Sequence, residues 1–161
     1  MIRSLALIAS LVCAGPSLGH AQADKALMAK AAELAQICAD TMPNSRAAKD
    51  ALKAAGLNYR GSDGTYHVFT ANGFRVVAGI TVTHVAEQSC LVSVSKMTPA
   101  EANSLIQPWV KLAKAKPAKP PSTGLSGFWV GRFKNGPIRL GVIDQVDFGV
   151  MSGAAIAALA K

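Results

Sequence analysis

The chain has 161 residues, 50% of them hydrophobic and 16% charged, with 17 basic against 9 acidic side chains and a formal charge of +8. That length and apolar content suit one globular domain and exclude a disordered or fibrous chain. The basic excess is lopsided, 7 basic against 6 acidic residues over positions 24–95 but 9 against 3 over positions 96–161, which suits an anionic partner as well as plain solubility.

Residues 1–23 read as a bacterial-type secretory signal peptide. Arg3 precedes an apolar run from Leu5 to Ala14, Pro16 and Gly19 break it, and Ala21-Gln22-Ala23 is a small-x-small cleavage site, with cleavage after Ala21 as the alternative. The run is shorter than the roughly 20 residues a membrane span needs. The mature chain is therefore expected to carry no transmembrane segment and to be periplasmic or secreted. Leu11-Val12 lacks the small residue that lipoprotein processing needs before Cys13, so Cys13 leaves with the leader. Cys38 and Cys90 remain, and two thiols in an exported chain read as one disulfide rather than two buried free thiols.

Over residues 24–41, Leu27, Ala31, Leu34 and Cys38 fall at helical spacing opposite Lys30, Glu33 and Asp40, which predicts an amphipathic helix with Cys38 on its buried stripe. Pro43 ends it. Asn44 or Ser45 can cap a second helix over 46–55, with Gly56 beyond its end. Residues 58–64 read as a loop.

Asn72-Gly73 lies between β-rich runs at 65–71 and 74–85 and favours a two-residue hairpin turn. That register pairs Ala71 with Phe74 and Phe69 with Val76, and puts Phe69, Phe74, Val76, Ala78, Ile80 and Val82 on one face. A third run, 89–95, points Cys90, Val92 and Val94 to the same side if His84 pairs with Cys90. The helical and extended patterns thus aim both cysteines inward independently.

Thr98-Pro99-Ala100-Glu101 is a capping box with proline at the first helical position, opening a helix through Leu105, Ile106, Trp109 and Leu112 that Pro108 is expected to kink. Residues 113–123 hold Lys114, Lys116 and Lys119 with three prolines, an extended solvated connection. Two strands, 127–133 and 138–146, flank Asn135-Gly136, with Trp129 and Phe133 on one face and Phe128 and Val130 on the other. Ser152 can cap a short last helix over 153–160. The fold class is α+β in two layers: an antiparallel sheet of about five strands, a three-strand meander plus a C-terminal hairpin, with helices on one face.

The chemistry is sparse. His67 and His84 are placed about 20 Å apart by the strand rise and cannot share a metal. No metal-ligand spacing, phosphate loop or nucleophile elbow occurs, and no cofactor is implied. Asp144 and Asp147 face opposite sides of a strand. Arg132 and Lys134 around Phe133, with Trp129 and Arg139, have the look of a base-stacking hairpin, but export and the apolar setting argue against nucleic acid.

The expected function is an exported, disulfide-stapled binding or structural accessory domain without catalysis. It would contact a protein or an anionic envelope component through Lys114, Lys116, Lys119, Arg132, Lys134 and Arg139. The alternatives are a small hydrolase or thiol enzyme using His84 with Cys90, and an inhibitor of an exported enzyme inserting residues 58–64 or 113–123.

Overall fold

The computed structural model describes residues 23–81, 88–133 and 136–160. Residues 1–22 of the leader, His84 and Lys134 lie outside them.

The helices follow from their caps and stripes. In α1 (Lys25–Thr41) the Asp24 carboxylate accepts from the Ala26 N–H at 2.8 Å, and Leu27, Ala31, Leu34, Ala35 and Cys38 are buried. Asn44 caps α2 (Ser45–Ala54), accepting from the Ala47 N–H at 3.0 Å. The capping box of α3 (Pro99–Leu112) is complete: Thr98 Oγ1 accepts from the Glu101 N–H, and Glu101 Oε2 accepts from the Thr98 N–H at 2.8 Å. The α3 helix runs on through Pro108. Among the described residues no helix is long and apolar enough to cross a membrane.

The strands are β1 (Asn58–Ser62), β2 (Tyr66–Ala71), β3 (Val76–Thr81), β4 (Gln88–Val94), β5 (Lys116–Pro117), β6 (Leu125–Phe133), β7 (Gly136–Asp147) and β8 (Ser152–Ala160). They form one antiparallel sheet in the order β1-β2-β3-β4-β8-β7-β6-β5. Two four-strand meanders therefore meet where β4 pairs with β8, and α3 carries the chain from β4 across to the far edge.

The α+β class holds, but the sheet has eight strands rather than about five. Residues 58–62, expected as loop, form an edge strand because Tyr59 pairs with Phe69 and packs its ring on it at a centroid distance of 5.3 Å. Lys116–Pro117 pairs with Val130 and Trp129, so part of the Lys/Pro-rich connection closes the other edge. The largest departure is β8. Residues expected as a short helix are a nine-residue strand hydrogen-bonded on both sides.

Both hairpin registers also differ from expectation. Ala71 pairs with Val76 and Phe69 with Ala78, because residues 72–75 make the turn. Asn72, Gly73 and Phe74 all have positive φ there, and the Asn72 carbonyl accepts from the Arg75 N–H at 3.2 Å. Phe74 thus leaves the strand, and its ring lies 4.5 Å from the Arg60 guanidinium. Cys90 pairs with Ile80, not with His84. Both slips are by even numbers of residues, so Phe69, Val76, Ala78, Ile80, Cys90, Val92 and Val94 keep their expected face while Phe74 leaves it.

The helices cover one face. Their stripes meet Phe69, Val76, Ala78, Ile80, Val92, Val94, Leu140, Val142 and Ile156 in a single buried cluster. Cys38 of α1 and Cys90 of β4 are disulfide-bonded inside it, with Cα atoms 5.8 Å apart. That separation lies within the usual range for a disulfide.

Candidate functional site

Among the described residues, the other face of the sheet carries no helix. Paired residues share a face, so the register itself defines rows across it. One row reads Val68, Gly79, Leu91, Ala157, Gly141 and Phe128. Gly79, Ala157 and Gly141 keep it low around Leu91, and its ends carry Val68 and Phe128.

That row is the floor of a cavity of about 650 Å³. Leu91, Ala157 and Gly141 form the base. Leu125, Phe128 and Ile143 rise on one side, Tyr66 on the other, and Pro121 of the connection reaches its margin. A Cβ at Gly141 would lie no closer than 3.8 Å to any neighbour, so the depth there comes from the absent side chain and not from a close backbone. Tyr66 leans its ring over Gly79, where a Cβ would stand 3.4 Å from Cδ1. An adjoining cavity of about 320 Å³ shares Tyr66 and Leu91 and continues toward Val77, Asp63 and Asp147.

The next row reads Tyr66, Thr81, Ser89, Leu159, Arg139, Val130 and Lys116. Thr81 Oγ1 and Ser89 Oγ satisfy each other at 2.8 Å while buried, so the polar groups in the middle of this row are occupied. Arg139 brings a positive charge to the margin of the large cavity, and Lys116 stands two strands further out on the same face. At the opposite end the Asp63 carboxylate accepts from the Thr65 and Tyr66 N–H groups at 2.9 and 2.7 Å. Those bonds hold its pKa below the usual carboxylate range.

Of the six basic residues expected as one contact surface, Lys134 lies outside the described residues and the other five are distributed. Lys114, Lys116 and Arg132 line a groove of about 600 Å³ with the exposed Leu112 and Val130. Arg139 belongs to the apolar cavity. Lys119 is exposed on the connection and lines neither. Trp129 and Phe133 are partly buried against the helix-side core. Asp147 Oδ1 accepts from the Gly149 N–H at 2.7 Å, and a bulge separates Asp147 from Asp144.

His67 lies on the helix-covered face at the β2 end. Its Nε2 is 3.5 Å from Lys49 Nζ and its Nδ1 is 3.2 Å from the Tyr59 hydroxyl. No carboxylate or nucleophile completes a catalytic group around it in these contacts. Cys90, the other half of the thiol-enzyme alternative, is 1% exposed and bonded to Cys38. Among the described residues no three His, Cys, Asp or Glu side chains converge as a metal site would require.

Sequence reasoning missed the cavity. Its signal was present in the glycines and alanines of three separated strands, but a row across a sheet appears only once the pairing is known. Comparison with protein-family models, with curated proteins and with solved structures yields no match.

Proposed function

We propose that the chain is an exported, disulfide-stapled binding domain without catalysis of its own, which holds a small apolar-bodied ligand against the helix-free face of its sheet. The observation that carries this reading is the cavity of about 650 Å³ over the floor of Leu91, Ala157 and Gly141. The uncovered face of an antiparallel sheet ordinarily alternates to polar side chains. Here it presents Leu91, Ile143, Leu125, Phe128 and Leu159 around a hollow whose volume falls within the roughly 300–1,000 Å³ typical of small-molecule sites. Export is supported by the leader-like first 23 residues and by the buried disulfide, a bond that persists in oxidising compartments. The groove of Lys114, Lys116 and Arg132 is the part of the surface best suited to an anionic envelope component.

The test is a fluorescence titration of the mature chain with Nile red, a neutral apolar probe. Gly141→Val puts a β-favouring side chain into the floor at a position where a Cβ meets nothing closer than 3.8 Å. The expected outcome is saturable binding by the native chain and at least tenfold weaker binding by Gly141→Val, with unchanged circular dichroism and thermal midpoint. Equal binding by the two, or none by the native chain, overturns the reading.

A further inference from the structure

The charges around the cavity are arranged by end. Arg139 lines its margin, and the row it belongs to runs outward through Val130 to Lys116 on the same face. Arg132 lies two residues from Val130 along β6, hence on that face as well. The opposite end, where the cavity continues past Leu91, is bounded by Asp63 and Asp147. Between the two ends the lining is Leu, Ile, Val, Ala, Gly, Pro and aromatic side chains, with Ser89 already bonded to Thr81. A cationic ligand would be drawn to the acidic end. A fully apolar one would gain nothing from the polarity of the trough. An anion on a hydrocarbon chain matches both the apolar walls and the sign of each end.

We infer that the ligand of this site is a single-chain anionic amphiphile, its head at Arg139 with Lys116 and Arg132 behind, its chain over Ala157 and Gly141 toward Leu91. This rests on the binding reading above and specifies its ligand class and orientation. Carboxylate and phosphate heads share the chemistry. Arginine binds either as a two-pronged donor, and the tail buries apolar area at about 25 cal/mol per Å². The acidic end sets the direction, because a head placed there would meet Asp63 and Asp147, which line the same cavity.

The experiment displaces Nile red from the native chain with dodecanoate, dodecyl phosphate, 1-dodecanol and dodecyltrimethylammonium, each below its micelle-forming concentration. At least one anion is expected to displace the probe at a tenfold or lower concentration than dodecanol, and the ammonium to be weakest. Arg139→Gln should bring the anions to the level of dodecanol, each competitor being read against dodecanol on the same variant, and Arg139→Lys should restore part of the preference. Dodecanol or the ammonium matching both anions on the native chain overturns the inference. So does an unchanged preference in Arg139→Gln. Either result with Nile red still bound leaves the binding site standing and removes only its anionic ligand, whereas loss of Nile red binding itself removes the site.

Discussion

At His67 three side chains from different elements meet the rim of the core. Lys49 of α2 approaches Nε2, the Tyr59 hydroxyl of β1 approaches Nδ1, and the Tyr59 ring bridges to Phe69. Burial first, and the Lys49 charge second, push the imidazole pKa below its usual 6.5. The fold therefore favours neutral His67, while the unfolded chain takes up a proton as the pH drops below 6.5. The histidine's contribution to stability is complete above that value and is lost as the pH falls through the lower folded pKa. Asp63 acts with the same sign at lower pH, because its folded pKa is also depressed. Lys49→Met should raise the His67 pKa toward 6.5, read from the imidazole resonances in an NMR titration. An unmoved titration curve would show that Lys49 does not face the ring in solution.

At the scale of elements, β8 has the most to say. Alanine is the best helix former, and Ile156 with Leu159 supply a plausible helical stripe. The strand wins because it is inserted between β4 and β7 and satisfies its backbone on both edges. It is also nearly buried throughout, with Ala154, Ile156 and Ala158 under the helices and Ala155 and Ala157 on the open face. Small residues are needed on both sides for different reasons. Ala158 is 0% exposed in the packed core, so Ala158→Leu should overpack it and lower stability by about 1–3 kcal/mol. Ala157 faces the cavity, so Ala157→Leu should leave the thermal midpoint nearly unchanged and abolish Nile red binding. Similar midpoints for the two variants would mean that the faces of β8 are not distinguished in this way.

For the molecule as a whole, the disulfide joins the helix layer to the middle of the sheet, since β4 is the strand at which the two meanders meet. Its cysteines are 52 residues apart in the chain. In the chain-entropy model, closing a loop of that length stabilises the fold by about 4 kcal/mol. Replacing both cysteines with serine should move the urea midpoint down by about 2 M, for a denaturant slope of about 2 kcal/mol per M. The fraction that remains folded should still bind Nile red, because Cys90 points to the helix side and the cavity lies on the other. Binding lost in step with the disulfide, in protein that is still folded, would show that the helix layer shapes the open face.

What the sequence determined by itself are the features that depend on neighbours within a turn or a pleat. The Asn44 cap of α2, the buried stripe of α1, the capping box of α3 and the inward aim of Cys38 and Cys90 all follow from residues a few positions apart. So do the faces of β2, β3 and β4, because a slip of two or four residues cannot change a period of two. The tertiary structure alone decided how many strands the sheet has, that the alanine-rich end is a central strand, and which residues lie in one row. Gly79, Leu91, Ala157, Gly141 and Phe128 are scattered over nearly 80 positions of chain. Only the β4–β8 pairing brings them into a common floor. That pairing is long-range, and its advantage comes from hydrogen bonds on two edges and burial on two faces, neither of which a local pattern of apolar residues can express.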